Sequence, residues 1–360
     1  MSGPAPAGRP LRVGLVGYGL AGAVFHAPLL KATPGMELVA VVTRDPGRQA
    51  KSRADNPGAE VLDSTAALWE RAGELDLVVV ATPTGTHVDV AIEGVARGLA
   101  LVVDKPIAPT AVEARRVAEA AKTAGTFLSV FQNRRWDSDT LTIQRLLAGG
   151  DLGTVMRFES RFERWRPEAR AGAWREEVAP SEGGGILLDL GSHLVDQALH
   201  LLGPAARVYA EIAKRRPNSV EDDAFIALTH RTGATSHLWV SAVAALQGPR
   251  VRVLGTAGAY VQPHLDAQEE ALRSGMAAGT SGWGREPVEN WGLLATRDQT
   301  QTIEPVAGNW PAYYAGVAAA LRGITGANPV TAESALAVLE VLDATRASAR
   351  AGQVVTMPGP

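Results

Sequence analysis

Along the first 132 residues, short apolar runs alternate with stretches in which apolar positions recur every three or four residues. Runs such as LVVVA (77–81) and LVV (101–103) show no polar alternation. Strands apolar on both faces belong to a parallel sheet covered on both sides by helices. The pattern predicts strands at Leu11–Val16, Glu37–Val42, Ala59–Leu62, Leu77–Ala81, Leu101–Val103 and Phe127–Phe131. Helical stretches fit between them, including His87–Arg97 and Ala111–Ala124. This order of strand and helix predicts a doubly wound parallel sheet with right-handed crossovers.

Beyond about residue 135 the pattern changes. Thr154–Trp165, Ala206–Lys214, Asp223–His230, Ala234–Ala244 and Val251–Gly255 are longer and alternate apolar with polar, with turn residues such as Arg231-Thr232-Gly233 between them. Alternation of this kind predicts a mainly antiparallel sheet with one face wet. Helices are expected near Leu187–Leu202 and Asp266–Arg273, loop with short strands over 274–308, and closing helices at Tyr313–Leu321 and Ala332–Ala351. The organisation expected is a lead-in at 1–10, one domain over 11–132 and a second over 133–360, with the closing helices, through Tyr313 and Tyr314, packing back on the first.

The 360 residues suffice for two cores, and 46% hydrophobic with 20% charged residues is an ordinary globular balance. A net charge of -3 argues against a broad nucleic-acid surface. No apolar run is long enough to span a bilayer, and the opening MSGPAPAGRP lacks the marks of a signal peptide. With no cysteine, disulfides, thiol nucleophiles and Cys-type zinc sites are excluded, which is compatible with a cytoplasmic location. No metal site is expected: Asp189, His193 and His200 would converge only loosely and no HExxH is present.

Gly17-Tyr18-Gly19-Leu20-Ala21-Gly22 fits GxGxxG, follows a predicted strand and opens a helical pattern. In that setting Gly17 permits a tight turn, Gly19 a close approach of backbone to a pyrophosphate, and Gly22 close packing of helix on strand. The helix start offers unpaired N–H groups to phosphate. At the end of the second strand stand Thr43, Arg44 and Asp45, with Arg48 one turn on. Guanidinium groups match a 2′-phosphate and favour NADP, whereas Asp45 keeps NAD open.

Asp104-Lys105-Pro106 follows the fifth strand, at the sheet end where such folds bind ligands. Lys105 is either placed to reach a cofactor or substrate, or is a surface lysine. Asp189 and His193, four apart, share one helix face with Asp196 and His200 beyond them. That stripe is either a cleft wall, where a carboxylate orients an imidazole, or a solvated face.

Together GYGLAG, ATPTGTH (81–87), DKP (104–106) and GGGILLDLGSHLVDQ (183–197) resemble the Gfo/Idh/MocA family. GYGLAGAVFHAP, VFQNRRWDSD, FERWRP and GNWPAYYAG are similar to its subgroup of NADP-dependent scyllo-inositol 2-dehydrogenases. The resemblance covers nearly the whole chain. It implies an open, predominantly antiparallel C-terminal sheet flanked by helices and used for dimer or tetramer contacts. It also implies catalytic Lys105, Asp189 and His193 acting on a secondary alcohol of a polyol or sugar. The dinucleotide, NADP or NAD, would lie against residues 17–22, Thr43, Arg44, Arg48, Thr82, Pro83, Thr84, His87, Asp104 and Lys105. Two departures stand out: Asp104 replaces the usual Glu, and Thr84 stands where many relatives have Asn. Substrate selection is expected from Arg135, Trp136, Trp165 and Arg166, Arg by donating hydrogen bonds and Trp by an apolar wall. Trp136 could instead be a core residue at a helix start, and Arg166 could lie in a solvated loop. The family also admits an NAD-dependent glycoside hydrolase and a non-catalytic nucleotide sensor.

Overall fold

The computed structural model describes residues 8–169, 172, 174–217 and 220–359, so most of the expected lead-in lies outside them. The chain divides into two compact units. The first holds the residues up to Asn133 together with Gln268–Trp283 and Asn309–Leu336; the second holds Arg134–Ala267, Gly284–Gly308 and the chain from Ala337 on.

The first unit is built on six strands: β1 (Leu11–Val16), β2 (Met36–Val42), β3 (Glu60–Leu62), β4 (Leu77–Val80), β5 (Ala100–Asp104) and β6 (Leu128–Phe131). Their order is β3-β2-β1-β4-β5-β6, with every pairing parallel. β4 and β5 are buried along their whole lengths. The strand order reverses direction between β1 and β4, which places the ligand crevice of this fold at the carboxyl ends of those strands. Helices start on polar caps, as where Thr110 accepts the Glu113 N–H at 3.3 Å, and Ala111–Ala124 ends at left-handed Gly125. The helix Pro311–Leu321 belongs to this unit. Its Tyr313 and Tyr314 are fully buried, with ring centroids 5.0 and 5.9 Å from that of Phe131.

The second unit carries β7 (Val155–Glu163), β8 (Ala205–Ala213), β9 (Asp223–His230), β10 (Thr235–Ser241), β11 (Val251–Gly255), β12 (Gly258–Gln262), β13 (Gly292–Thr296), β14 (Thr300–Ile303) and β15 (Val355–Thr356). The order is β14-β13-β12-β11-β7-β10-β9-β8-β15. Only β7 and β10 pair in parallel; the other pairs are antiparallel. In–out alternation along β9, and along β10 as far as Val240, leaves Phe225, His237 and Trp239 half-exposed on one face. The buried residues between them, including Ile226 and Leu238, line the core. Several elements lie outside the pattern-based expectation, β15 among them. β12 forms by a tight return from β11, and Ser138–Ala148 is a helix although Ser138, Asp139, Thr140 and Thr142 are buried. Among the described residues, no helix is long and apolar enough to cross a membrane.

Candidate functional site

The glycine loop leaves β1 at the switch point, and its three glycines serve three different ends. Gly17 has φ +102°, and a Cβ on it would lie 2.5 Å from the Ala81 carbonyl oxygen. A Cβ on Gly22 would lie 2.1 Å from the Gly17 carbonyl oxygen, so the following turn packs directly on the loop. On Gly19 a Cβ would meet nothing closer than Arg48 Nη1 at 3.8 Å. The loop is therefore closed by its own backbone at two glycines and open at the middle one, which is the room a pyrophosphate requires. Tyr18 turns away from that opening: its hydroxyl donates to Asp55 at 2.8 Å and accepts from Asn56 at 2.7 Å. Burial, and then the Asp55 carboxylate, push its phenol far up, so its side chain braces the loop and only its backbone can serve a ligand. Leu20 is exposed and Ala21 half-buried.

At the end of β2, Thr43 is buried and its N–H bonds the Leu62 carbonyl at 3.0 Å. Asp45 caps the helix Pro46–Asp55, its carboxylate accepting the Arg48 N–H at 2.8 Å. One oxygen of the acid that would hold an NAD ribose thus serves its own helix start, while Arg44 is exposed and the Arg48 guanidinium lies beside Gly19.

The ends of β4 and β5 complete this part. Thr82, Pro83 and Thr84 make the turn after β4, where Thr86 Oγ1 donates to Thr82 Oγ1 at 2.8 Å. Buried His87 ties this turn to the next one: its ring nitrogens lie 2.8 Å from the Thr82 carbonyl oxygen and 2.9 Å from that of Pro106. Burial pushes the His87 imidazole down. With both nitrogens facing backbone, His87 shapes the two loops rather than offering a nitrogen to a ligand. Asp104 is buried and Lys105 half-buried beside it. The first unit therefore brings residues 17–22, 82–87 and 104–105 to the carboxyl ends of three neighbouring strands.

In the second unit, Gly184 and Gly185, after left-handed Gly183, thread a passage too narrow for side chains. A Cβ would lie 1.7 Å from the Val178 carbonyl at Gly184 and 2.3 Å from the Glu221 carboxylate at Gly185. The passage delivers Asp189 on the π-wound turn Leu187–Gly191, and His193 in the first turn of the helix Ser192–Leu202. Asp189 is half-buried and paired with Arg175 at 3.2 Å. Buried His193 stacks on Phe162, with centroids 6.3 Å apart and planes at 26°. Arg134, Arg164 and Arg250 also lie over the Phe162 ring, at 4.9, 4.9 and 5.4 Å. Sequence reasoning missed Arg175 and Phe162; FERWRP contained the second, but no periodicity linked it to His193.

The expected single polar stripe is corrected. Asp196 points into the core and takes a two-point pair from buried Arg135, at 2.9 and 2.6 Å, whereas His200 turns to Gln144 at 2.9 Å. Arg134–Asp137 and Arg250–Asp139 are further buried pairs, each at 3.0 Å. Much of VFQNRRWDSD is thus an internal charge network. Trp136 is half-buried, whereas Trp165 and Arg166 lie exposed after β7, their segment held by the Arg166 N–H on Ala242. Arg135→Ala is expected to cost about 3–5 kcal/mol, because it strands a buried carboxylate. Chemical denaturation checks this; an unchanged midpoint with a raised KM would mark Arg135 as a substrate contact instead.

A parallel sheet in this order, with an open glycine loop at its switch point, defines a dinucleotide-binding protein. Comparison with known proteins agrees. Residues 11–132 match the family model described as "Oxidoreductase family, NAD-binding Rossmann fold", and residues 144–357 match "Oxidoreductase family, C-terminal alpha/beta domain". The chain belongs to the Gfo/Idh/MocA family of oxidoreductases. It is 40% identical to the uncharacterized oxidoreductase YdgJ of Escherichia coli over 337 residues, 92% of this chain and 94% of that one. It is 33% identical to the scyllo-inositol 2-dehydrogenase (NADP(+)) IolW of Bacillus subtilis, with 96% of each chain covered. Among solved structures, the oxidoreductase yvaA of Bacillus subtilis superposes with a TM-score of 0.91 at 32% identity, covering 97% of this chain and 99% of that one.

Proposed function

We propose that this enzyme uses NADP to oxidise a secondary alcohol of a polyol or sugar, or to reduce the matching ketone, with scyllo-inositol and its inosose the first pair to test. The observation that carries the cofactor choice is the end of β2. Asp45 caps its own helix, Arg44 beside it is exposed, and the Arg48 guanidinium lies next to Gly19 of the open glycine loop. The substrate class follows from likeness to IolW, which is named as an NADP-dependent scyllo-inositol dehydrogenase. When bound, the nicotinamide accepts or returns hydride at C4.

The chain's own residues supply the rest. His193 takes the hydroxyl proton as the alcohol is oxidised. Lys105 donates to the same oxygen and stabilises its developing charge. Asp189, held by Arg175, orients the substrate hydroxyl or the base. Arg135, Trp136, Trp165 and Arg166 are proposed to select the substrate. In this reading residues 11–132 bind nucleotide and 133–360 bind substrate and assemble the oligomer. The half-exposed face with Phe225, His237 and Trp239 would join a homodimer or homotetramer in the cytoplasm.

Absorbance of reduced nicotinamide, followed over a panel of inositols and sugars with each cofactor, tests the proposal. Turnover of scyllo-inositol with NADP is expected; turnover of another sugar keeps the chemistry and replaces the substrate. Release of free sugar from a glycoside without net redox change would move the assignment to a hydrolase. Arg44→Ala and Arg48→Ala are expected to raise the KM for NADP at least ~10-fold each and leave that for NAD little changed, the scale of a charge-assisted hydrogen bond. Equal effects on the two cofactors would place these arginines on the shared pyrophosphate.

A further inference from the structure

The helix Pro46–Asp55 carries Arg48 and yet buries no apolar side chain; of its 10 residues, Ser52 alone is buried. A helix without an apolar face is not placed by packing, so its position rests on polar links to its neighbours. Near its start, Gln49 Nε2 donates to the Thr43 carbonyl at 2.9 Å and Asp45 accepts the Arg48 N–H at 2.8 Å. Those links join residues close in the chain and fix the turn out of β2. The far end is held by the glycine loop. Asp55 accepts the hydroxyl of buried Tyr18 at 2.8 Å, and Nδ2 of buried Asn56, on which the helix ends, donates to the same hydroxyl at 2.7 Å. Lys31 Nζ adds a bond to the Asp55 carbonyl.

Tyr18 and Gly19 are neighbours in the chain. The segment that leaves the opening at Gly19 therefore also anchors the helix whose first turn brings Arg48 Nη1 to 3.8 Å from the place of a Gly19 Cβ. A helix freed at its far end can tilt and roll about the turn out of β2, and a guanidinium at the tip of a long side chain magnifies that roll. We propose that Tyr18 is a positioning residue for cofactor choice: its hydroxyl, held between Asp55 and Asn56, sets the helix so that Arg48 meets the 2′-phosphate of NADP. This rests on the cofactor reading above and deepens it. The preference then depends on a side chain that turns away from the opening.

The test uses the full chain and needs no substrate. Fluorescence titrations with NADPH and with NADH give the preference as a ratio of Kd values. Tyr18→Phe, which keeps the ring and removes the hydroxyl, is expected to lower that preference at least ~3-fold, the scale of one or two hydrogen bonds. Asp55→Ala is expected to lower it likewise, and Asp55→Asn, which keeps an oxygen for the hydroxyl, is expected to restore it. In an Arg48→Ala chain, adding Tyr18→Phe is expected to change the ratio less than ~2-fold, because no guanidinium is left to place. A ratio unmoved by Tyr18→Phe, where Arg48→Ala lowers it, would overturn the assignment and leave Arg48 as a phosphate contact that needs no such anchor. An equal fall on adding Tyr18→Phe with and without Arg48 would overturn it too. A ratio unmoved by Arg48→Ala itself would overturn the cofactor reading, and this assignment with it.

Discussion

Lys105→Met is expected to reduce turnover at least ~100-fold while leaving dinucleotide affinity unchanged. Methionine keeps much of the lysine's length and apolar stem and removes the ammonium, so the change isolates the charge. Lys105 follows β5 at the carboxyl end of the sheet, beside the strand whose turn carries Thr82–Thr84. A donor that stabilises charge only as the alcohol oxygen develops it should lower kcat and kcat/KM together. Steady-state kinetics and a fluorescence titration of the reduced cofactor separate the outcomes. Near-normal turnover would remove Lys105 from the mechanism; loss of cofactor affinity would make it a nucleotide contact.

The second large effect contrasts two glycines three positions apart. Gly22→Ala is expected to destabilise the first unit by about 3 kcal/mol or more, since its methyl would lie 2.1 Å from the Gly17 carbonyl oxygen and backbone cannot step aside cheaply. Gly19→Ala meets only the end of a flexible arginine at 3.8 Å, so the fold should lose no more than about 1 kcal/mol. Its methyl would instead occupy the space read as the pyrophosphate's, and affinity for either cofactor should fall at least ~10-fold. Thermal melting with and without dinucleotide distinguishes the two. Tight binding by Gly19→Ala would show that the phosphates do not approach the loop there.

Both predictions draw on features already legible as pattern. Ala111–Ala124, Asp223–His230 and Val251–Gly255 coincide with the expected elements, because an amphipathic helix and alternating strands write their period into neighbouring residues. The helix Ser138–Ala148 was foreseen only as one of two readings of Trp136, a helix start, and its extent was not, for the opposite reason. Its buried face contains Ser138, Asp139, Thr140 and Thr142, whose partners include Glu286, Arg250 and Gln197, far along the chain. A polar residue satisfied by a distant partner looks, in sequence, like one satisfied by water.

Composition and local spacing determined the fold class and the glycine loop at the end of β1, and the resemblance of short motifs singled out Lys105, Asp189 and His193, because each depends on residues near one another in the chain. Only the tertiary structure decided how side chains divide their hydrogen bonds. It turned Tyr18 onto Asp55 and His87 onto two carbonyls, bound Arg135 to Asp196, and set Tyr314 against His26 behind Asp104. The physical reason is that a buried polar group must find a partner or bear the cost of desolvation, and which partner it finds depends on packing between segments distant in the chain, 19 residues apart for Pro106 and His87 and 288 for Tyr314 and His26.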